Sequence, residues 1–455
     1  MKKHACRITA LMLALAACLA MLAPAAAGAE TLQECHKVTS SYRETKAKNK
    51  SQVRLWHVET AHEAVTAEIN GIAEKWAEEI GPGLPDAKNT GDGNSRVDVE
   101  IRYSRTGLSW MSFMVQARTI YHRALTDQRF TTRTYDMKNG FPVTMDVIFD
   151  EDSPAWDYLA DKVRTTLANY WPDEEPDAAA LEKLCTREAL GNAEFTLHGM
   201  SMVLHYNASA LYGGKNTLME VPVYYPEIRD MMTPVAQEET DNLSYYKTVA
   251  LTFDDGPRHP KSWNVLDALM EQGIRATFFC IGNLVDKAYF VVQREHDDGH
   301  AVASHNWNHS ATKGQSAKAL RSMPEKVNAV MVKHIGIPVR YDRAPGGIYP
   351  PMQKAKVQWA FIQWSLDTYD WRGRTPSQVL SSVKKKIEDG DIILCHDIKE
   401  YAPDNTRKIV KYLEEQGYIF LTVDELFAKD GVELETGQVY FRCRDGVTTK
   451  KPNGT

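Results

Sequence analysis

The pattern of apolar and polar residues changes near residue 245 of this 455-residue chain. Beyond that point, short apolar runs of strand character alternate with amphipathic stretches of helical period. Regular alternation of strands and helices predicts a parallel sheet closed, or nearly closed, as a barrel, an α/β architecture that we describe as a distorted (β/α)7 barrel. The seven predicted strands are at residues 249–253, 276–281, 301–304, 339–342, 360–366, 392–395 and 419–423.

The preceding half has a mixed pattern that predicts an α+β domain over residues 51–232. Apolar residues at helical spacing predict a helix over 53–80, and alternation predicts strands that include 97–103 and 195–206. The polar stretches 30–50 and 233–246 are interpreted as linkers, the barrel domain as 247–430, and residues 431–455 as a C-terminal tail. We therefore expect a chain that starts near Asn242 to fold by itself.

The N-terminus has the features of an export signal. Basic residues precede an apolar stretch over 8–27, and small residues at 27–29 offer a cleavage site. The same stretch is long enough for a retained membrane anchor, and the sequence at 15–18 is similar to a bacterial lipoprotein box. Each alternative places the rest of the chain outside the cytoplasm, either secreted or attached to the cell surface.

Composition excludes some classes of function. The chain is 43% hydrophobic, which suffices for globular cores, and its formal net charge of -6 comes without a basic block, so a nucleic-acid partner is not indicated. No pair of cysteines has the CxxC spacing of a thiolate zinc site. Cys280 and Cys395 lie in apolar runs and are interpreted as buried free thiols.

Two of the predicted strands end in residues that can bind a metal. Asp254 and Asp255 follow the first strand, where adjacent like charges are costly unless a cation relieves them. His305 and His309 follow the third strand, and their spacing places both imidazoles on one side of a helical turn. Two histidines and one aspartate form a three-ligand site with an open position for water, the plan of a hydrolytic zinc site.

Three other strands also end in reactive side chains. Arg343 follows the fourth strand, Asp367 begins the segment DTYDW after the fifth, and His396 ends the sixth. Within DTYDW, Asp367 and Asp370 could instead be helix N-caps, and Trp371 a core residue. Because the carboxyl ends of parallel strands meet at one rim of a barrel, these residues are expected to share a site.

The segments TFDDGP, HNWNH, RAPGG, DTYDW and ILCHD, in this order, resemble the five motifs of the polysaccharide deacetylase (NodB-homology) family, carbohydrate esterase family 4. This resemblance covers the predicted barrel. It implies hydrolysis of acetyl groups on a polysaccharide with one divalent metal ion, usually Zn²⁺ and alternatively Co²⁺. More weakly, residues 50–232 resemble an uncharacterised extracellular α+β domain that precedes such deacetylases in bacterial cell-wall proteins.

The resemblance implies a role for each matching residue. Asp254 would be the general base and Arg343 would orient it, while His396 would be the general acid and Asp367 would pair with it. The remaining implied roles are metal binding by Asp255, His305 and His309, an oxyanion contact from the backbone N–H of Gly346, a sugar wall at Trp371 and an acetyl-methyl pocket at Leu394.

Two positions depart from the family pattern. Asn306 stands where Ser or Thr is usual, and we expect its amide to hydrogen-bond to the same loop. Gly346 stands where Tyr is frequent, which leaves the backbone donor but removes a contact to substrate.

The predicted function is removal of N-acetyl groups from cell-wall peptidoglycan, at N-acetylglucosamine or N-acetylmuramic acid. Deacetylation of chitin oligosaccharides, O-acetyl esterase activity on xylan, and a non-catalytic glycan-binding role are the alternatives.

Overall fold

The structure is a computed structural model that describes residues 33–46, 50–85, 95–122, 124–310, 316–348 and 359–448. The predicted export segment lies outside these residues. Within them, no helix has the length and apolar character needed to cross a membrane.

Strands and α-helices are numbered here in chain order. The strands are β1 Val38–Lys46, β2 Gln52–Thr60, β3 Ser95–Thr106, β4 Trp110–Tyr121, β5 Ala124–Asp136, β6 Phe141–Pro142, β7 Phe195–Leu197, β8 Ser201–Asn207, β9 Leu218–Tyr224, β10 Lys247–Asp254, β11 Thr277–Cys280, β12 Ala301–Ser304, β13 Tyr341–Asp342, β14 Ala360–Ile362, β15 Leu366–Asp367, β16 Asp391–His396, β17 Tyr418–Phe420 and β18 Val439–Tyr440. The helices are α1 Glu63–Ile80, α2 Met145–Ile148, α3 Ala155–Ala168, α4 Ala178–Leu184, α5 Arg187–Gly191, α6 Tyr225–Ile228, α7 Pro234–Glu239, α8 Asn242–Tyr245, α9 Lys261–Gln272, α10 Gly282–Val285, α11 Tyr289–Asp297, α12 Ala317–Ile335, α13 Pro376–Lys386, α14 Ala402–Glu415 and α15 Val423–Ala428.

The N-terminal half is α+β, as its pattern predicts. Six strands form one sheet in the order β1-β2-β3-β4-β5-β6, and β7, β8 and β9 form a second, antiparallel sheet. Two predictions are wrong in this half. The expected helix over 53–80 begins only at Glu63, because residues 52–60 form β2, and part of the expected linker over 30–50 is the edge strand β1.

The C-terminal half is a curled, mainly parallel sheet surrounded by helices, which confirms the predicted fold class. Its strands follow the order β15-β16-β10-β11-β12-β13-β14-β18, and β17 pairs with the start of β10. Side chains alternate along β10, so Val249, Leu251 and Phe253 face the helices while Ala250 faces the barrel interior. Asp254 continues the interior set and reaches the rim where the strands end.

The sheet opens where one predicted strand divides in two. The expected strand over 360–366 is instead β14 and β15; β15 is one end strand of the sheet, and β14 is next to the other end strand, β18. Residues of the predicted C-terminal tail close part of this gap, because β18 pairs with β14 and the backbone of Arg442 forms an isolated β-bridge with that of Asp391. The tail is therefore an integral part of the barrel.

The segment predicted as a linker is also ordered. It forms α7 and α8, and its polar side chains bond to the turn between β3 and β4. Glu239 accepts hydrogen bonds from the backbone N–H groups of Leu108 and Ser109, both at 2.9 Å. Asn242 is buried and accepts from the N–H of Gly107 at 2.9 Å. These contacts conflict with the expectation that a chain starting near Asn242 folds by itself.

Candidate active site

The reactive side chains meet at the rim formed by the carboxyl ends of the parallel strands. Asp254 ends β10 and lies opposite His396 at the end of β16 in the register of those two strands. His305 directly follows β12, and Arg343 directly follows β13. The rule that functional groups gather at this rim therefore holds for this barrel.

Asp255, His305 and His309 form the candidate metal site. One ligand atom from each residue can be chosen so that all three lie within 4.8 Å of one another. The Nε2 atoms of His305 and His309 are 3.6 Å and 3.1 Å from Oδ1 of Asp255.

The histidine chemistry fits a cation at this point. Nδ1 of His305 donates to the carbonyl oxygen of Arg343 at 2.7 Å, which leaves the Nε2 lone pair directed at the site. Burial raises the pKa of Asp255, but the interactions of its carboxylate with His305, His396 and His309 outweigh burial and lower that pKa to about 2. An ionised carboxylate and two imidazole nitrogens are a donor set suited to zinc or cobalt.

The backbone around these ligands is unusual in conformation. Asp255, Asn306 and His309 have φ values of 81°, 69° and 58°, in the left-handed region that non-glycine residues rarely occupy. Asn306 stabilises its loop as predicted, because its Nδ2 donates to the carbonyl of Ser310 at 2.8 Å. Asp342, which the sequence analysis did not single out, accepts from the Asn306 N–H at 2.9 Å. Non-glycine residues in this region concentrate at functional sites.

Arg343 holds Asp254, as the resemblance implies. The guanidinium is completely buried, and its NH1 donates to Oδ1 of Asp254 at 2.8 Å and to Oγ1 of Thr252 at 2.7 Å. Nε of the same side chain donates to the carbonyl of Ile362. The second carboxylate oxygen of Asp254 is 3.7 Å from Nε2 of His305. Asp254 is thus fixed on one oxygen and directed with the other toward the metal site.

The partner of His396 differs from the prediction. Asp370, not Asp367, lies 2.7 Å from Nδ1 of His396 through Oδ1, and its Oδ2 accepts from the His396 backbone N–H at 2.8 Å. Burial lowers the pKa of His396, but the hydrogen bond and charge of Asp370 outweigh it and raise that pKa. Asp367 instead accepts from the N–H of Tyr369 at 2.7 Å and from Nε1 of Trp371 at 3.4 Å.

The physical reason is the conformation of DTYDW. Tyr369 has a φ of 57°, and this left-handed residue reverses the chain so that Asp370 faces β16 while Asp367 faces Trp371. Asp370 is the first residue of a short 3₁₀ helix, Asp370–Arg372, but Tyr369 is the N-cap and the Asp370 carboxylate binds His396, so the alternative of a helix N-cap is wrong. In the sequence, the only sign that Asp370 could pair with His396 was the presence of this second carboxylate in DTYDW.

The remaining predicted residues have surroundings that suit their implied roles. Trp371 is 46% exposed, which rules out the alternative of a core residue, whereas Leu394 is buried on the interior face of β16. Gly346 has a φ of 66°, and a Cβ built on it would meet open space within 4 Å. Among the residues that the structure describes, nothing blocks a side chain at this position, but the left-handed backbone conformation favours glycine there.

Comparison with known proteins agrees with this geometry. The polysaccharide deacetylase family model matches residues 244–358. The chain is 33% identical over 222 residues to the peptidoglycan-N-acetylglucosamine deacetylase PgdA of Listeria monocytogenes, which is 49% of this chain and 47% of that protein. The chain thus spans about half the length of this relative.

Two shorter proteins are matched over most of their length. A peptidoglycan-N-acetylglucosamine deacetylase of Bacillus cereus is 31% identical over 188 residues, which cover 40% of this chain and 88% of that protein. A family 4 acetyl xylan esterase from Clostridium thermocellum, solved with a cobalt ion, has 32% identity and a TM-score of 0.41, covering 43% of this chain and 98% of that structure. The chain belongs to the polysaccharide deacetylase family.

Proposed function

We propose that this protein is a metal-dependent hydrolase that releases acetate from the N-acetylated sugars of bacterial peptidoglycan. One observation carries the proposal. The candidate metal site of Asp255, His305 and His309 lies between two polar pairs, Asp254 with Arg343 and His396 with Asp370. Amide hydrolysis needs a base for the attacking water, stabilisation of the acyl oxygen and an acid for the leaving nitrogen.

The proposed base is Asp254. Arg343 fixes one oxygen of this carboxylate by a hydrogen bond, so the other is available to take a proton from the attacking water. A divalent ion held by Asp255, His305 and His309, Zn²⁺ with Co²⁺ as the alternative, would polarise the acyl oxygen and lower the pKa of nearby water. The backbone N–H of Gly346 is proposed as a further donor to the developing oxyanion.

The proposed acid is His396. When Nδ1 donates to Asp370, the mobile proton resides on Nε2, and the carboxylate stabilises the protonated ring. Protonation matters because a sugar amine leaves only after its nitrogen has received a proton. Leu394 would contact the acetyl methyl group, and the exposed face of Trp371 would stack on a sugar ring.

A panel of acetylated polymers tests the function. The purified protein, loaded with Zn²⁺ or Co²⁺, is incubated with peptidoglycan, chitin oligosaccharides and acetyl-xylan, and released acetate and new free amines are measured. We expect acetate and amine in equal amounts from peptidoglycan, and no release after treatment with EDTA. Acetate from acetyl-xylan alone would favour the esterase, and binding to glycan without acetate release would favour the non-catalytic alternative.

A variant at the acid separates amide from ester chemistry. We expect His396→Ala to reduce amide hydrolysis more than hydrolysis of an activated acetyl ester, because an activated alkoxide leaves without a proton. Equal losses on the two substrates would contradict His396 as the leaving-group acid.

We also propose that the protein acts outside the cytoplasm, on the basis of the basic and apolar pattern over residues 1–29. Expression of the full chain, followed by fractionation and N-terminal sequencing, distinguishes the three modes of export. Full-length protein confined to the cytoplasmic fraction would refute this proposal.

A further inference from the structure

A large groove adjoins the candidate metal site on the side of Asp255 and His309. Its volume is about 670 Å³, and it continues away from these two residues between the loop after β10 and the segment around α10. We call it the lateral groove. A cavity of this size is large enough for a substituent of a sugar bound at the metal site.

The floor of the lateral groove is apolar. Ile281, Leu284 and Phe290 line it, and the ring of His259 packs against Phe290 with centroids 5.2 Å apart. Such a floor suits methyl and methine groups, which an apolar surface removes from water. It offers little to a hydroxyl-covered sugar face.

The rim of the lateral groove is cationic. Arg258 and Lys287 line it, and neither forms an ion pair with any residue that the structure describes. The neighbouring carboxylate of Asp286 is engaged elsewhere, at 2.7 Å from Nζ of Lys333 and 2.8 Å from His334. Two unpaired cations at the edge of a concave surface produce a positive potential that attracts anions.

We propose that the lateral groove binds the carboxylate-bearing substituent of an N-acetylmuramoyl residue, which would make that sugar the one deacetylated. The acetamido group and the lactyl ether of this sugar are on adjacent ring carbons. When the acetamido group lies at the metal site, the lactyl group must therefore leave the ring beside it. Its methyl and methine groups suit the apolar floor, and its carboxylate, or those of an attached peptide, suits Arg258 and Lys287.

This inference rests on the proposed deacetylase function and makes it more specific. N-acetylglucosamine, chitin oligosaccharides and xylan carry no such anionic group, so they would gain nothing from the cationic rim. The two side chains are assigned to specificity, and the hydrolytic chemistry remains with the residues of the metal site.

The experiment compares two substrates and three proteins, the wild type and two variants. The substrates are peptidoglycan glycan strands freed of peptides, which expose the lactyl carboxylates, and chitin tetraose. The test variant is Arg258→Gln combined with Lys287→Gln. The matched control is Lys385→Gln. Lys385 is exposed and lies at the end of α13, just before the start of β16, at the end of the barrel opposite the site. Mass spectrometry identifies which sugar loses its acetyl group.

We expect the wild-type protein to deacetylate the muramoyl residues of the strands. The double variant should lower the ratio of kcat/KM for strands to kcat/KM for chitin tetraose by roughly fivefold, mainly through KM, since each exposed charge contributes modestly. Rising salt should reduce the wild-type preference toward that of the variant. The control should keep the wild-type ratio.

Three results would overturn the inference: deacetylation of N-acetylglucosamine alone in the strands, an equal loss on both substrates, or an unaltered ratio in the double variant. Hydrolysis of neither substrate by wild-type protein would refute the proposed function instead. A binding measurement then tests the inference separately. Glycan strands should bind the Asp254→Asn protein more tightly than a protein that carries Asp254→Asn together with Arg258→Gln and Lys287→Gln.

Discussion

Two buried charged clusters of this protein differ in whether they neutralise themselves. The first, which we call the interface cluster, joins the N-terminal sheet to helices α9 and α11 of the barrel. Arg294 of α11 lies 3.0 Å from Glu100 of β3, 2.7 Å from Asp267 of α9 and 3.2 Å from Asp298. Arg118 of β4 pairs with both Glu100 and Asp298. Every one of these carboxylates has an arginine partner.

The second cluster is the candidate active site, where charge is only partly matched. Arg343 neutralises Asp254, but Asp255 faces two imidazoles, and within the described part of the chain its one ammonium partner is the partly exposed Lys399 at 4.0 Å. A divalent cation would complete this arrangement. A self-neutralised cluster is typical of a structural role, whereas an incomplete one marks the place where a ligand belongs.

The two clusters are connected along the chain. Helix α11 carries Arg294 and is followed by β12, which ends at the residue before His305. The N-terminal sheet therefore holds the helix that leads into the metal-binding loop. We infer that the N-terminal half stabilises the barrel as well as preceding it.

The largest expected effect is on catalysis at the incomplete cluster. Asp254→Asn preserves the shape of the side chain but removes the base, so we expect kcat to fall on the order of 10²-fold or more. Metal content, measured by mass spectrometry after dialysis, should stay close to that of the wild type. Loss of metal together with rate would show that Asp254 is itself a ligand.

The next effect is on stability at the interface cluster. Arg294→Met leaves Glu100, Asp267 and Asp298 without this partner, which should lower the free energy of unfolding by about 3–5 kcal/mol. Urea denaturation followed by circular dichroism measures the change. Arg164→Met, which breaks an exposed pair with Glu182, is the control and should cost less than about 1 kcal/mol. Similar losses in both variants would mean that the interface cluster does not join the two halves.

The sequence predicted the site better than the interface. Asp254, His305 and His396 could be brought together in advance, since they follow strands that a parallel barrel aligns at one rim. The polar residues Glu239 and Asn242 look like part of a linker, and only their burial against the β3–β4 turn reveals contacts between the halves. Composition alone does not distinguish a solvated polar residue from a buried, hydrogen-bonded one.

Two local errors have similar causes. In β2, Leu55 and Trp56 are both buried although they are neighbours, so the strand lacks the alternation that identifies strands in a sequence. The division between β14 and β15 depends on closure of the whole sheet, which no local window of sequence contains. Both features are set by tertiary packing.

A third prediction concerns a buried histidine between the two halves and its effect on the free energy of unfolding at acidic pH. Burial lowers the pKa of His300 to about 3, although Asp298 acts in the opposite direction and Arg102, Arg294 and Arg275 reinforce the decrease. The unfolded chain binds a proton near pH 6.5 and the folded chain does not. The contribution of neutral His300 to folding stability is therefore fully present above about pH 6.5. It is lost as pH falls from there toward about 3.

His300→Asn should reduce this loss. Between pH 6.5 and 5, the wild-type protein should lose about 2 kcal/mol more than the variant, because one depressed histidine contributes about 1.4 kcal/mol per pH unit. An asparagine oxygen can accept the Ala276 N–H that Nδ1 of His300 now accepts at 3.1 Å. Urea denaturation at several pH values gives the two slopes, which should coincide between pH 7 and 8. Equal slopes below pH 6.5 would refute the assignment.

The smallest effect separates the two carboxylates of DTYDW. His396 acts as an acid only while protonated, so the rate should fall as pH rises through its pKa. Because Asp370 raises that pKa, Asp370→Asn should move the alkaline limb of the kcat profile to lower pH. Asp367→Asn is the matched control, since Asp367 bonds to Tyr369 and Trp371 and should move the limb less. A larger shift for Asp367→Asn than for Asp370→Asn would restore the pairing that the sequence predicted and contradict the one in the structure.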